Sequence, residues 1–326
     1  MSNPQRPTDV NAVRPTSISH IVGQRSVVDQ VTVALDAAQQ DARRFDHALL
    51  VGPPGCGKTS IAHVIAEEMA APVIEVLGQS ISNVGDLNAL LLSAKEDGTV
   101  IFIDEAAELD KSLQVTLYLA LDQRKIVVNG RQKGSSPISI PLGDFTLLAA
   151  TTDEYDLLQP LRDRMRLLLR FQFYSPEELT TLLQIRSAAL GWDVEREVMP
   201  EIALRSRGTP RLGLRLLQAC HRVCRAQGED TIRLEHLHRA CSLEQLDKYG
   251  CGPTEQEYLR LLADGPMRLN VIASSLGLPA RTVSQVTEPF LIRAGLITKD
   301  DQSRRQLTAL GHEHVSKDRL NRVRLP

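Results

Sequence analysis

Apolar residues fall into two alternating rhythms along the first half of this chain. Short β-rich runs, HALLVG at 47–52, PVIEVL at 72–77, TVIFID at 99–104 and FTLLAATT at 145–152, alternate with stretches of helical spacing such as SIAHVIAEEMA at 60–70. That alternation predicts a parallel sheet flanked by helices. One segment breaks the rhythm. RKIVVNGRQKGSSPISIPL at 124–142 sets IVV and ISI around a Gly/Ser-rich turn and reads as a hairpin insert.

From about 175 to 247 the spacing is wholly helical. It opens on Ser175 with Glu178 three residues on, the pattern of a capping box. GTPRLGLRLLQACHRV and RLEHLHRACSLEQLD follow with the same period. A third region begins near CGPTEQEYLRLLADG. It holds two short helices around SSLGLPARTVSQ and then a two-strand wing, GLITKDDQSRRQLTA. Helix, turn, helix and wing describe a winged helix. The expected organisation is a flexible N-terminus over 1–13, a large α/β domain over 14–174, an all-α lid over 175–248 and a winged-helix domain over 249–326.

Composition narrows the picture. The chain has 326 residues, enough for two or three domains with real cores, and is 42% hydrophobic and 24% charged. No apolar stretch approaches the roughly 18–20 residues that span a bilayer. The polar start MSNPQRPTDVNAVRP has no secretory h-region, so the expected location is cytoplasmic. A net charge of −2 means that any nucleic-acid contact must come from a local basic surface. The five cysteines, Cys56, Cys220, Cys224, Cys241 and Cys251, form no disulfide framework. Cys220, His221 and Cys224 lie in the helical run LGLRLLQACHRVCRAQG, where small buried thiols are expected rather than metal ligands.

The chemistry concentrates at two places. Gly52-Pro53-Pro54-Gly55-Cys56-Gly57-Lys58-Thr59 fits G-x-x-x-x-G-K-[ST], directly after the strand HALLV and at the opening of a helix. Its glycines let backbone N–H groups wrap phosphates, and the helix N-terminus adds a favourable dipole. Lys58 is placed to reach the β and γ phosphates of ATP, and the Thr59 hydroxyl to ligate Mg²⁺. The second place is Val100-Ile101-Phe102-Ile103-Asp104-Glu105, a buried strand releasing two carboxylates at its C-terminal end. Asp104 would hold the Mg²⁺ and Glu105 would orient and deprotonate the attacking water. Phosphoryl transfer also needs charge stabilisation, and PLRDR at 160–164 offers arginines for it.

The chain resembles the RuvB family of AAA+ ATPases, the bacterial Holliday junction branch migration helicases. The matching segments are VRPTSISHIVGQ, DHALLVGPPGCGKTSIAHVIAEEM, FIDEAAEL, FTLLAATT, PLRDR, YSPEEL, RSRGTPRLGLRLL and EPFLIRAGLITK, collinear through all three regions. The resemblance implies a P-loop AAA+ parallel-sheet domain, an all-α lid, a C-terminal winged helix and a homo-hexameric ring around duplex DNA.

Residue by residue, it sets Val13 and Arg14 beside the nucleotide base, with Gly55, Lys58, Thr59 and Ser60 at the phosphates; Gly52, Cys56 and Gly57 of the motif complete the candidate nucleotide-binding loop. Thr152 matches a sensor of the γ-phosphate, and Arg164 an arginine finger reaching the neighbouring subunit's site. Tyr174 matches a nucleotide-proximal hinge residue and Arg211 the lid arginine that contacts ATP. Lys299 and Arg304 align with DNA-contacting arginines of the wing. With Arg305 they are the candidate phosphate contacts, in a tail that also carries Lys317, Arg319, Arg322 and Arg324.

The chain also departs from the family. Ala106-Ala107-Glu108 stands where a histidine and an arginine are usual, and Leu121-Asp122-Gln123 replaces a Glu-Asp-aromatic segment. Ile138 and Ile140 match apolar positions by which the family's hairpin grips its junction-binding partner RuvA, and an intramolecular core role fits them equally. The expected function is an ATP-driven DNA motor acting on double-stranded or four-way-junction DNA. The alternative, suggested by the altered segment after Glu105, is a nucleotide-switched loader or initiator without sustained translocation.

Overall fold

The computed structural model describes residues 9–10, 13–94, 98–128 and 138–323, with side chains through 316. The hairpin turn at 129–137, most of the N-terminal arm and the side chains of Lys317, Arg319, Arg322 and Arg324 lie outside the described residues. Two compact units emerge. One gathers Met1–Gly191 with Gly208–Leu214, the other Trp192–Arg207 with Arg215–Pro326. The units cut across the three regions of the sequence, because the first lid helix belongs with the sheet.

The first unit runs α1 (Arg25–Gln40), β1 (Ala48–Val51), α2 (Lys58–Glu68), β2 (Val73–Leu77), α3 (Val84–Ser93), β3 (Thr99–Asp104), α4 (Lys111–Gln123), β4 (Lys125–Val128), β5 (Ile138–Pro141), β6 (Phe145–Thr151), α5 (Gln159–Arg162), β7 (Leu167–Arg170) and α6 (Pro176–Ala189). Five of the strands form a parallel sheet in the order β2-β3-β6-β1-β7. Every residue of β1 and β6 is buried, which is why these strands read as unbroken apolar runs rather than alternating ones. Leu49, Ile101, Ile103, Leu147 and Ala149 pack with Leu87 and Leu91 of α3 and Leu113 and Leu117 of α4. Each such leucine contributes roughly 2 kcal/mol by burial, so the core holds the strand ends firmly. The edge strand β7 is a finding the sequence pattern did not predict. Three leucines are too few to carry a period, and half of the strand is exposed.

β4 and β5 form the expected antiparallel hairpin, with Ile126 opposite Ile140 and Val128 opposite Ile138. Ser175 and Glu178 form a capping box in which each side chain accepts from the other's backbone N–H.

The second unit contains β8 (Asp193–Val194), α7 (Val198–Arg205), all but the start of α8 (Pro210–Ala226), β9 (Thr231–Ile232), α9 (Leu234–Glu244), α10 (Pro253–Leu261), α11 (Leu269–Leu276), α12 (Ala280–Thr282), α13 (Glu288–Arg293), β10 (Ile297–Lys299), β11 (Arg305–Leu307) and α14 (Ala309–Val323). The stretch 175–247 is therefore not wholly helical, since β8 and β9 pair in parallel over two residues. A periodic signal cannot reveal so short a pair. Between α12 and α13 the helix widens into a π turn, Val283–Thr287. Pro289 follows, with no N–H to offer the preceding turn. β10 and β11 form the antiparallel wing, with Lys299 opposite Arg305. Cys220 and Cys224 are buried, the Cys224 thiol donates to the Glu229 carbonyl, and His221 stacks on Trp192 at 3.9 Å. That is the packing role expected of them.

Candidate functional site

The loop after β1 turns tightly enough to need left-handed backbone at Gly55 (φ +77°) and Gly57 (φ +98°), which side-chain-bearing residues rarely adopt. α2 starts at Lys58, so its free N–H groups face the loop. Lys58 is buried, and its Nζ donates to the carbonyls of Gly52 (2.7 Å) and Pro53 (3.2 Å). Burial lowers its pKa from the usual lysine value, against the pull of Glu105 and Asp104 in the other direction. An ammonium this desolvated gains strongly from an added anion.

The second motif meets the first. Thr59 Oγ1 donates to Asp104 Oδ2 at 3.3 Å, although β6 separates their two strands in the sheet. Asp104 Oδ1 accepts the Glu105 N–H at 3.0 Å. Glu105 itself sits in left-handed backbone, φ +50°, a strain of order 1–3 kcal/mol for a residue with a side chain. Such strain collects where side-chain placement matters more than comfort. Gly78, just past β2, lies so near that a β-carbon there would come within 2.4 Å of the Glu105 carbonyl oxygen. The sequence reading missed Gly78. Its signal was a glycine directly after a strand at the sheet edge where ligands bind. Ala106–Glu108 forms one short 3-10 turn with Ala106 buried. Thr152 is exposed one residue beyond β6, the strand between the two motifs.

A cavity of about 420 Å³ opens beside the loop, lined by Val13, Arg14, Gly57, Ser60, Tyr174 and Arg186 among others. Its size suits a small ligand. The Tyr174 hydroxyl would be 3.6 Å from a β-carbon on Gly57, and its ring packs on Gly23. Burial pushes the Tyr174 pKa well up, against a hydrogen bond from Gln24, so the phenol stays neutral. Arg186 was not anticipated. Burial, reinforced by Arg14, lowers its pKa, which leaves two cationic side chains lining one pocket. Arg211 stands against the loop, its N–H toward the Gly55 carbonyl at 3.4 Å. A β-carbon on Gly55 would meet Arg211 Cβ at 2.8 Å. Val13, Arg14, the loop residues, Asp104, Glu105, Tyr174 and Arg211 are thus brought to one sheet edge.

Arg164 is placed differently. Its Nε and Nη2 donate to the two carboxylate oxygens of Asp122, Nη1 donates to Pro160 O at 2.8 Å, and the guanidinium lies 5.2 Å from the Tyr118 ring centre. All of these partners are on α4 and α5.

The wing corrects one expectation. Arg305 is 8% exposed and grips Glu288 with two bonds, Nε–Oε1 2.7 Å and Nη2–Oε2 3.2 Å. Glu288 is itself buried and also accepts from the Tyr258 hydroxyl at 2.8 Å. Burial works to raise the Glu288 pKa, yet Arg305 and Tyr258 hold it below the usual carboxylate value. Arg305 is therefore a buried strut and not a phosphate contact, because strand alternation turned it inward. Lys299 is half exposed, 3.7 Å from Glu288, and Arg304 is half exposed against Asp300 at 2.8 Å.

The hairpin isoleucines divide. Ile140 packs on the core together with Ile126, whereas Ile138 is 61% exposed and Val127 52%. The base of the hairpin is body and its outer half is apolar surface. Among the described residues no helix is long and apolar enough to cross a membrane.

Comparison with known proteins agrees across the chain. Residues 13–171 match the model of the Holliday junction DNA helicase RuvB P-loop domain, 174–247 the RuvB AAA lid domain and 248–316 the RuvB C-terminal winged helix domain. The RuvB branch migration subunit of Kosmotoga olearia is 34% identical over 95% of this chain and 92% of its own length. That of Clavibacter michiganensis is 37% identical over 90% and 82%. The structure of the Thermotoga maritima RuvB Holliday junction branch migration motor is 32% identical and superposes with a TM-score of 0.79, covering 93% of this chain and 98% of that one.

Proposed function

Since this chain belongs to the RuvB family of Holliday junction DNA helicases, we propose that it is the ATP-hydrolysing subunit of a ring that drives duplex DNA through four-way junctions. The observation that carries the reading is the Thr59–Asp104 contact, which joins the phosphate loop to the acidic strand end around one small volume. ATP enters with its base in the cavity beside Tyr174, and its phosphates take over Lys58 from the Gly52 and Pro53 carbonyls. Thr59 and Asp104 are an oxygen donor pair suited to Mg²⁺, whose charge would offset the triphosphate. Glu105 activates the attacking water and Thr152 senses the γ-phosphate.

Arg164 acts on the neighbouring subunit's nucleotide in a homo-hexamer, after giving up Asp122. Lys299 and Arg304 make the wing's phosphate contacts, which carry no sequence code and so suit a translocating motor. The exposed apolar outer half of the hairpin, Ile138 with Val128 directly across from it, docks a RuvA-like partner.

The test is ATP turnover by the purified chain without DNA, with linear duplex and with a four-way junction, at stated salt. Junction-stimulated turnover that disappears in Glu105→Gln is expected. Slow turnover with strong ATP-dependent DNA retention would instead favour the loader reading.

A further inference from the structure

Three unlike metal donors converge within the second unit, none of them part of the candidate nucleotide site. The Asp247 carboxylate and the Cys251 thiol come from the loop between α9 and α10, and the His314 imidazole from α14. One ligand atom from each lies within 4.8 Å of the others. Cys251 and His314 are buried, at 0% and 5% exposure, and the Asp247 side chain is 10% exposed. This is an uncommon amount of polar chemistry for the interior of a small helical unit.

The loop is built to present these atoms. Asp247 Oδ1 accepts the N–H groups of Tyr249 and Cys251, both at 2.8 Å, and the Asp247 N–H reaches the Cys251 carbonyl at 3.1 Å. The turn closes on itself at Gly250, φ +74°, and leaves Oδ2 for His314 Nε2 at 2.8 Å. The other ring nitrogen, Nδ1, is buried and has no hydrogen-bond partner among the described residues. No lysine or arginine pairs with Asp247 among the described residues.

A second cluster, Glu229, Glu235 and His236, makes the contrast. There Arg233 already pairs with both glutamates, so a cation is in place.

We propose that Asp247, Cys251 and His314 form a binding site for a zinc-type divalent cation, which ties the loop after α9 to α14. One thiolate, one imidazole and one carboxylate are the donor classes zinc selects, with a fourth position left for water. Zinc bonds of about 2.3 Å to sulfur and about 2.0 Å to nitrogen or oxygen set neighbouring ligand atoms roughly 3.3–3.6 Å apart. The side chains need to adjust by only an ångström or so. On binding, the Cys251 thiol loses its proton to solvent and the imidazole proton resides on Nδ1, freeing Nε2 for the metal. Two anionic ligands then balance the dication in a buried place. Mg²⁺ is excluded by its preference for oxygen donors and retained waters. The nucleotide site does not supply this chemistry, so the two metal demands are separable.

The full chain, stripped with chelator and kept free of nucleotide, is titrated with Co²⁺ as the spectroscopic probe. The expected result is a thiolate-to-cobalt charge-transfer band that saturates at one cobalt per chain. Zn²⁺ displaces it and excess Mg²⁺ does not. The band is lost in Cys251→Ser and in His314→Ala, while both variants keep ATP binding. No band, or a band that survives Cys251→Ser, overturns the proposal. Should the serine variant fail to fold, X-ray absorption of the zinc-loaded native chain decides. One sulfur among nitrogen and oxygen neighbours supports the site, and a shell without sulfur overturns it.

Discussion

Gly78 and Glu105 are neighbours across the sheet's ligand-binding edge, so close that a β-carbon on Gly78 would sit 2.4 Å from the Glu105 carbonyl oxygen. The clash is with backbone, which cannot swing aside as a flexible side-chain tip can. Gly78→Ala is therefore expected to displace Glu105 while leaving Lys58 and the cavity beside Tyr174 in place. Turnover should fall by at least tenfold, as misplacement by about an ångström commonly does, with little change in ATP affinity. Steady-state kinetics with nucleotide-binding measurements check it, and an unaltered turnover number would refute the positioning role.

Arg305 and Arg304 are adjacent on the wing but live in different dielectric settings. Arg305→Ala strands the buried Glu288 carboxylate and should destabilise the winged region by about 3 kcal/mol. Arg304→Ala removes a half-exposed pair and should cost less than about 1 kcal/mol. Its effect belongs instead in DNA affinity, as a shallower salt dependence of duplex binding. Denaturant unfolding and salt-titrated binding of the two variants separate these outcomes.

His47 gives the sheet domain an acid limit. Burial, with help from Arg44 and Arg124, lowers its pKa to about 3 in the folded chain, and Nδ1 accepts the Leu147 N–H at 2.8 Å. The unfolded chain takes up the proton near the ordinary histidine value, the folded chain only near 3. Stability therefore rises with pH across that window and is lost as pH falls from about 6.5, by at most ~1.4 kcal/mol per pH unit. Thermal unfolding between those limits should show the slope, and His47→Gln should flatten it.

Arg164 is engaged by Asp122 and Tyr118 within its own chain. Arg164→Ala should cut hydrolysis by about a thousandfold or more, the usual worth of an arginine finger, with ATP binding nearly intact. Mixing it with Glu105→Gln chains should restore part of the activity, since some sites would then pair a sound Glu105 with a sound Arg164. Mixed rings as dead as either parent would show that the arginine does not act in trans.

Much of this protein was legible in the chain because the signals are local. The phosphate loop needs glycines, a lysine and a hydroxyl within eight consecutive residues, between a strand and a helix. β1, β3 and β6 announce themselves since a strand covered on both faces has no polar face to show. The capping box at Ser175 and Glu178 is likewise a bargain among near neighbours.

What the tertiary structure alone decided involves partners far apart in sequence. Whether Arg305 faces water or Glu288 depends on which side of a three-residue strand meets the core, and one step of register reverses it. Ile138 and Ile140 share a strand face, yet only Ile140 reaches the body. The nearness of Gly78 to Glu105, and of Cys251 to His314, exists only after separate elements have packed. Periodicity and motif spacing report what a residue does with its chain neighbours. Long-range packing chooses among the many environments compatible with that, and no local pattern encodes the choice.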